Sequence, residues 1–168
     1  MPISDTLIAD FKSEASNTKR VLESFPEGRS DWKPHAKSMS LGRLAGHIAE
    51  LPSLVHSVME GEELDFAASA GEYTPFVAAS RTELLQIFQK NVDRFETALS
   101  GQTDEFLSKN WTLRYGPNVL MSMPRHLAIR TTAIHHVIHH RGQFSVYLRL
   151  LDVAVPPTYG PTADSQGL

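Results

Sequence analysis

Apolar residues recur every three or four positions in four separate stretches of this 168-residue chain, and this spacing constrains its fold more than any other feature. Such steps place apolar side chains on one face of an α-helix. The predicted helices run over residues 3–25, 40–60, 80–99 and 124–151. Strand-like alternation is confined to a short extended pair across 113–119 and is too weak to predict a sheet. The pattern therefore predicts an all-α fold in which four helices pack as a four-helix bundle.

Local signals mark the ends of these helices. Ser38 or Ser40 is suited to cap the second helix, and Ser80 is suited to cap the third. Pro52 lies inside the second stretch and is expected to kink or break that helix. Pro124 fits the first turn of the last helix, where a missing N–H breaks no hydrogen bond.

Length and composition restrict the class of protein. A chain of 168 residues fits one domain over 1–168, and 41% hydrophobic with 21% charged residues is typical of a globular protein. No apolar run is long enough to span a membrane and the start of the chain is too polar for a secretory signal, so we expect a cytoplasmic protein without membrane contact. The net charge of −3 and the lack of a basic run argue against nucleic acid as a partner.

The last predicted helix carries a cluster of histidines. Four of the eight histidines fall within residues 134–143, which read I-H-H-V-I-H-H-R-G-Q. Residues four apart lie one above the other on a helix, with about 5–6 Å between their Cβ atoms. One such pair is His135 with His139, and the other is His136 with His140. Each pair is able to hold one metal ion between two imidazoles.

Periodicity favours the second of these pairs. His136 and His140 border the apolar arc of the helix, whereas His135 and His139 lie nearly opposite the centre of that arc. His47 lies among the apolar residues of the second helix and is the candidate for a third imidazole. The alternative is a set of surface and capping histidines without a physiological metal.

Two arginines fall near the middle of the same apolar arc. If Arg130 and Arg141 are buried, each requires a carboxylate partner or a pocket lined by carbonyl groups. The reason is that an unpaired buried charge is costly.

Three histidines from two helices would leave a metal with open positions for water or substrate, as in catalytic zinc sites. Imidazole ligands do not select among the divalent transition metals, so we expect zinc, nickel, iron or manganese. Because the chain has no cysteine, any thiolate nucleophile must come from a cosubstrate, such as a low-molecular-weight thiol. His139 either acts as a general acid or base, or it is a hydrogen-bonding or surface residue. Glu50 and Gln143 are candidate acceptors for an imidazole N–H.

Three segments of the chain follow one another in a distinctive order. W-K-P at 32–34 precedes S-L-G-R-L-A-G-H-I at 40–48, H-V-I-H-H-R-G-Q follows at 136–143, and V-P-P-T-Y-G-P closes the chain at 155–161. In these segments the chain resembles the DinB/YfiT-like superfamily of metal-dependent four-helix-bundle enzymes, and the resemblance covers nearly the whole length.

The resemblance implies that His47, His136 and His140 are the metal ligands. It also implies a long crossover loop between the second and third helices, and a homodimer. Members with an assigned reaction are mostly transferases that use thiols such as bacillithiol, mycothiol or glutathione. We therefore expect a metal-dependent thiol-S-transferase or hydrolase that acts on a small molecule. The alternative is a non-catalytic metal-binding or stress-response module.

Overall fold

The computed structural model of the chain describes residues 1–68, 71 and 73–165, and most of these residues are helical. The helices are α1 Ile3–Leu22, α2 Leu41–Glu50, α3 Leu54–Glu60, α4 Arg81–Leu99, α5 Asp104–Ser108, α6 Arg125–Ile129 and α7 His136–Leu150. A 3₁₀ turn, Leu51–Ser53, joins α2 to α3, and a π-helical segment, Arg130–His135, joins α6 to α7. The strands are β1 Glu63–Asp65, β2 Asn110–Tyr115 and β3 Asn118–Pro124.

The four helices α1, α2, α4 and α7 contact one another and enclose the core. The rings of Phe11 and Phe95 join α1 to α4, with 3.9 Å between their centroids. Ile48 of α2 and Phe144 of α7 are fully buried in the same core. Burial of a side chain of this size is worth about 1.5–3 kcal/mol. The predicted helical character is therefore confirmed, while the four-helix bundle stays a prediction.

A three-stranded sheet beside these helices corrects the prediction of an all-α fold. Strand β1 pairs parallel to β2, and β2 pairs antiparallel to β3. Gly116 turns the hairpin with a φ of 55°, a conformation that glycine adopts without strain. Trp111 and Leu113 of β2 are buried, and the Trp111 indole donates to the Ser57 carbonyl of α3 at 3.1 Å. The β2–β3 hairpin lies where the sequence suggested a short extended pair across 113–119. The third strand was missed because β1 spans only three residues, too few for alternation to be recognised.

The predicted helix ends are largely confirmed. The Ser40 hydroxyl accepts from the Arg43 backbone N–H, and the Ser80 hydroxyl accepts from that of Glu83. Pro52 lies in the 3₁₀ turn that separates α2 from α3, so it breaks the second helix as expected. The predicted last helix begins with α6 at Arg125, so Pro124 is its N-cap residue and the last residue of β3, and does not lie in the first turn as predicted.

Both arginines of the last helix have carboxylate partners on α1. Arg141 is buried and forms an ion pair with Glu14 at 2.8 Å. Arg130 is half-buried and pairs with Asp10, also at 2.8 Å. These pairs meet the requirement that buried cations be compensated.

None of the helices in the described ranges is both long enough and apolar enough to cross a membrane.

On the outer side of α7, Val146 and Leu150 are exposed. The homodimer stays a prediction.

Candidate metal centre

His47, His136 and His140 come together between α2 and the last helix. Their candidate ligand atoms all lie within 4.8 Å of one another. The ring centroid of His47 is 5.2 Å from that of His136 and 4.6 Å from that of His140. The two α7 rings are 4.7 Å apart. In the part of the chain that the structure describes, this group contains three residues and no carboxylate.

Close approach of a loop to α2 positions the helix that carries His47. A Cβ on Gly46 would lie only 2.2 Å from the Phe76 carbonyl oxygen, so a larger residue would displace this part of the loop. The Ala78 N–H donates to the Gly42 carbonyl at 2.9 Å and fixes the same loop one turn earlier. Glycines on this face of α2 therefore hold residues 76–78 against the helix, next to His47.

A π-helical segment precedes the two histidines of α7. It spans Arg130–His135, where the backbone N–H groups bond to carbonyls five residues back instead of four. The His136 imidazole donates to the backbone carbonyl of Thr132, four residues back, and this bond favours the protonated ring. The residue that makes this bond, Thr132, lies inside the π segment. The sequence prediction treated this helix as regular because a π segment has no clear compositional signal.

Gln143 orients His140. Its Oε1 accepts from His140 Nδ1 at 2.7 Å, so the hydrogen lies on Nδ1 and the lone pair lies on Nε2. The Gln143 amide nitrogen in turn donates to His139 Nε2 at 3.1 Å. Gln143 is thus the imidazole acceptor that the sequence suggested. His139 is exposed, and its ring centroid lies 4.8 Å from that of His140.

Glu50, the second candidate acceptor, has other partners. It accepts from Arg43 at 3.0 Å, from the Tyr73 hydroxyl at 2.6 Å and from the Phe76 backbone N–H at 2.9 Å. Arg43 Nη2 lies 3.4 Å from His47 Nδ1. A guanidinium only donates, so Glu50 acts on His47 through Arg43, not as a direct acceptor. Burial, with the Glu50 carboxylate nearby, raises the pKa of Tyr73 to about 12.

Burial favours the neutral form of all three imidazoles. Burial, the neighbouring imidazoles and Arg43 lower the pKa of His47 to about 4. Burial also lowers the pKa of His136, although the bond to Thr132 opposes this change. The pKa of His140 is lowered by burial as well, against the opposing effect of Gln143. Neutral imidazole is the form that binds a metal.

A cavity of about 410 Å³ opens beside His136. It lies between the sheet, the start of α3 and the last helix. Its walls are Leu54, Phe66, Leu113, Met121, Thr131, Thr132, His135, His136 and His139. The sequence prediction did not assign Leu113 or Met121 to the site, because an extended pair across 113–119 does not indicate which helices the strands pack against.

His35, His56 and His126 are not part of the three-histidine group. His35 is exposed in a loop, where its Nδ1 accepts from the Lys37 backbone N–H. His56 lies on α3, 3.9 Å from Glu60. His126 Nδ1 contacts the Leu107 carbonyl at 3.0 Å. Periodicity therefore selected the pair on α7 that faces His47.

The fold and the three-histidine group together define a class of helical proteins with a candidate metal site. The DinB family model matches residues 1–166, and the chain therefore belongs to the DinB family.

The chain is also similar to one relative in sequence and to two solved structures in fold. The chain is 27% identical to the uncharacterized protein YrdA of Bacillus subtilis (strain 168) over 163 residues, which cover 95% of this chain and 90% of YrdA. It shares its fold with a DinB-like protein from Bacillus cereus ATCC 10987, at a TM-score of 0.69 and 22% identity. The DinB-like protein YjoA of Bacillus subtilis gives a TM-score of 0.68, also at 22% identity. Each structural match covers 92% of this chain and 97% of the other.

The donor set fits a divalent transition metal. Two nitrogens bound to one zinc ion at about 2.1 Å lie at most ~4.2 Å apart. The three imidazoles, within 4.8 Å of one another, approach this separation. His136 and His140 each bond through one ring nitrogen to an acceptor outside the group, which leaves the other nitrogen for a metal. His47 differs, because its outer nitrogen faces a donor, Arg43.

Proposed function

We propose that this protein binds a divalent transition metal (zinc, nickel, iron or manganese) through His47, His136 and His140. We further propose that it is a metal-dependent enzyme of the thiol-S-transferase or hydrolase type, built on a four-helix bundle, that acts on a small molecule. The observation that carries the proposal is the three-histidine group, three imidazoles from two helices with ligand atoms within 4.8 Å of one another, whose pKa values are all lowered by burial.

An open ligand set supports an enzyme over a binding module. A metal held by three neutral histidines lowers the pKa of a bound water or thiol, which provides a nucleophile near neutral pH. A closed structural site would have a fourth protein ligand, and the described residues supply three. The cavity beside His136 gives a small molecule room next to the group.

The chain's own residues would position the reactants. Gln143 and the Thr132 carbonyl fix two of the three rings. His139 lines the cavity and carries its lone pair on Nε2, where Gln143 donates. His139 is therefore our candidate for proton transfer after Gln143 moves aside. With no cysteine in the chain, a thiol must come from a cosubstrate.

Metal analysis of protein purified without a polyhistidine tag tests the proposal. We expect about one divalent ion per chain, and a loss of tight binding in His47→Ala, His136→Ala and His140→Ala. The matched controls are His35→Ala and His56→Ala, which remove imidazoles outside the group and should keep the ion. Unchanged metal content in the His140→Ala variant would refute the ligand set. A screen with several thiols and electrophiles on metal-loaded protein then tests turnover, with His140→Ala as the inactive reference.

A further inference from the structure

We propose that the cavity beside His136 binds an uncharged apolar group of the substrate, an alkyl or aryl group, and holds it next to the metal. This inference rests on the proposed function and deepens it by naming a substrate class. It follows from the size of the cavity, the composition of its walls and the hydrogen bonds already made by its polar groups.

The size of the cavity suits a small molecule. Its volume is about 410 Å³, and pockets for small ligands occupy ~300–1,000 Å³. The walls come from separate parts of the fold, with Leu54 on α3, Leu113 on β2 and Met121 on β3. Leu113 and Met121 are cross-strand partners, so they form one continuous apolar surface.

Apart from the imidazoles on the helix side, the walls offer no ionisable partner for a charged group. Among the residues that the structure describes, those that line the cavity include no lysine, arginine, aspartate or glutamate. The nearby ions Arg43 and Glu50 are paired with each other and do not line it. A charged substituent would lose hydration here without a compensating ion, which is costly.

The polar wall groups lie on the side of the last helix. The Thr132 hydroxyl donates to the Ala128 carbonyl at 2.8 Å, and the His136 ring bonds to the Thr132 backbone. His135 and His139 are exposed. The cavity is therefore apolar on the sheet side and bears imidazoles on the helix side. This arrangement suits a molecule with an apolar group and a reactive polar end.

A smaller cavity extends the apolar side. It measures about 20 Å³ and shares Leu54, Phe66, Leu113 and Thr132 with the larger one. Buried Trp111 lies on its wall. A space of this size takes about one water, which needs two to four polar partners. Apart from Ser57 and Thr132, the residues that line it are apolar. The extension therefore favours the end of an apolar chain.

The inference is tested on cobalt-loaded protein with a series of hydroxamates. The alkyl members run from acetohydroxamate to octanohydroxamate, and benzohydroxamate is the aryl member. The hydroxamate head binds the metal in every member, and only the tail changes. We expect affinity, measured by calorimetry and by the visible absorption of cobalt, to rise roughly threefold to fourfold per methylene until the cavity is full. Met121→Glu should abolish this dependence and keep the cobalt. The matched control is Leu120→Glu, which changes the neighbouring exposed residue of β3 and should behave as wild type.

Affinity that is independent of tail length in the wild type would overturn the inference and leave the metal site standing. Equal effects of Met121→Glu and Leu120→Glu on the affinity would also overturn it. So would a dimeric wild type that shows no tail dependence and becomes a monomer in Met121→Glu, because a second copy of the chain would then cover the cavity. If Met121→Glu does not fold, Phe66→Ser replaces it, and the wild-type series remains decisive.

If the wild type binds no cobalt, the proposed function fails and the cavity is tested alone. The neutral dye N-phenyl-1-naphthylamine should then fluoresce on metal-free protein and lose this signal in the variant at position 121. No fluorescence gain in the wild type would overturn the inference.

Discussion

Two neighbouring residues of α7, His140 and Arg141, lie in polar environments of opposite kinds. Arg141 faces α1, where it pairs with Glu14 at 2.8 Å and donates to the Thr18 hydroxyl at 3.2 Å and to Tyr159. Tyr159 in turn donates to Glu14 at 2.6 Å, which closes the network. His140 faces α2, where its inner neighbours are two more imidazoles and no carboxylate.

The difference separates a structural network from a ligand site. In the Arg141 network, the guanidinium is paired with the Glu14 carboxylate and its hydrogen-bond donors have acceptors. The network therefore presents no unpaired group that would bind a ligand. In the three-histidine group, three ionisable rings share a half-buried site, and each added proton would repel the next. Ionisable groups held neutral by burial beside a cavity are typical of functional sites. One helix thus carries a structural element and a candidate metal site in adjacent positions.

The largest effect is expected from Arg141→Leu. This change leaves the Glu14 carboxylate largely buried without its cation, so the free energy of unfolding should fall by about 3–5 kcal/mol. Urea unfolding of metal-free protein measures the loss, and the folded variant should still bind metal. The matched variant is His140→Ala, for which we expect the reverse, with metal lost and stability nearly kept. Loss of metal from folded Arg141→Leu protein would show that the two regions are coupled.

The second prediction concerns pH and metal-free protein. In the unfolded chain the three histidines titrate near pH 6.5, whereas burial lowers the folded pKa of His47 to about 4 and lowers those of His136 and His140. The unfolded state therefore binds more protons below pH 6.5. Stability from the neutral group is fully present above pH 6.5 and is lost as the pH falls towards about 4.

Thermal melting between pH 4 and 8 measures this loss, and His47→Gln should reduce its slope. Bound metal should add stability that also declines with falling pH, because protons and metal compete for the same nitrogens. Metal-loaded and metal-free forms that melt together at every pH would contradict the site.

The sequence was sufficient for features that depend on local chemistry. Helical spacing located the long helices, Pro52 marked a real break, and the apolar arc of α7 selected His136 and His140 over the opposite pair. A buried Arg141 required a carboxylate, and Glu14 meets that requirement.

Features that depend on the fold were missed. The hydrogen bond between the His136 ring and the backbone of Thr132 could not be predicted, because a π segment such as Arg130–His135 leaves no clear signal in the sequence. The apolar wall at Leu113 and Met121 depends on the pairing of β2 with β3, and the sheet is completed by β1, which lies about fifty residues earlier in the chain. Strands this short carry little signal in the sequence. Arg43 was within reach of prediction, since it lies one turn before His47.

A smaller effect is expected from the acceptor that orients His140. Gln143→Leu removes the partner of Nδ1–H, and loss of such an acceptor typically weakens metal binding by 10–100-fold. Gln143→Glu keeps an acceptor at the same position and should restore affinity. Titration against a competing chelator measures both variants. Equal weakening in the two would mean that the position acts through packing and not through the hydrogen bond.

The smallest effect is expected at Arg43, whose guanidinium is unfavourably placed for metal binding by His47. A metal on the inner nitrogen of His47 requires a hydrogen on Nδ1, yet Arg43 points a donor at that atom from 3.4 Å. Its positive charge also opposes a cation nearby, although Glu50 offsets most of it. Arg43→Gln offers an oxygen that can accept from Nδ1–H, so affinity for zinc should rise about threefold, a change of ~0.7 kcal/mol. Arg43→Lys keeps the charge and the donor, and it should bring no gain. Weaker binding in Arg43→Gln would mean instead that Arg43 supports the site by holding Glu50 and Tyr73 in place.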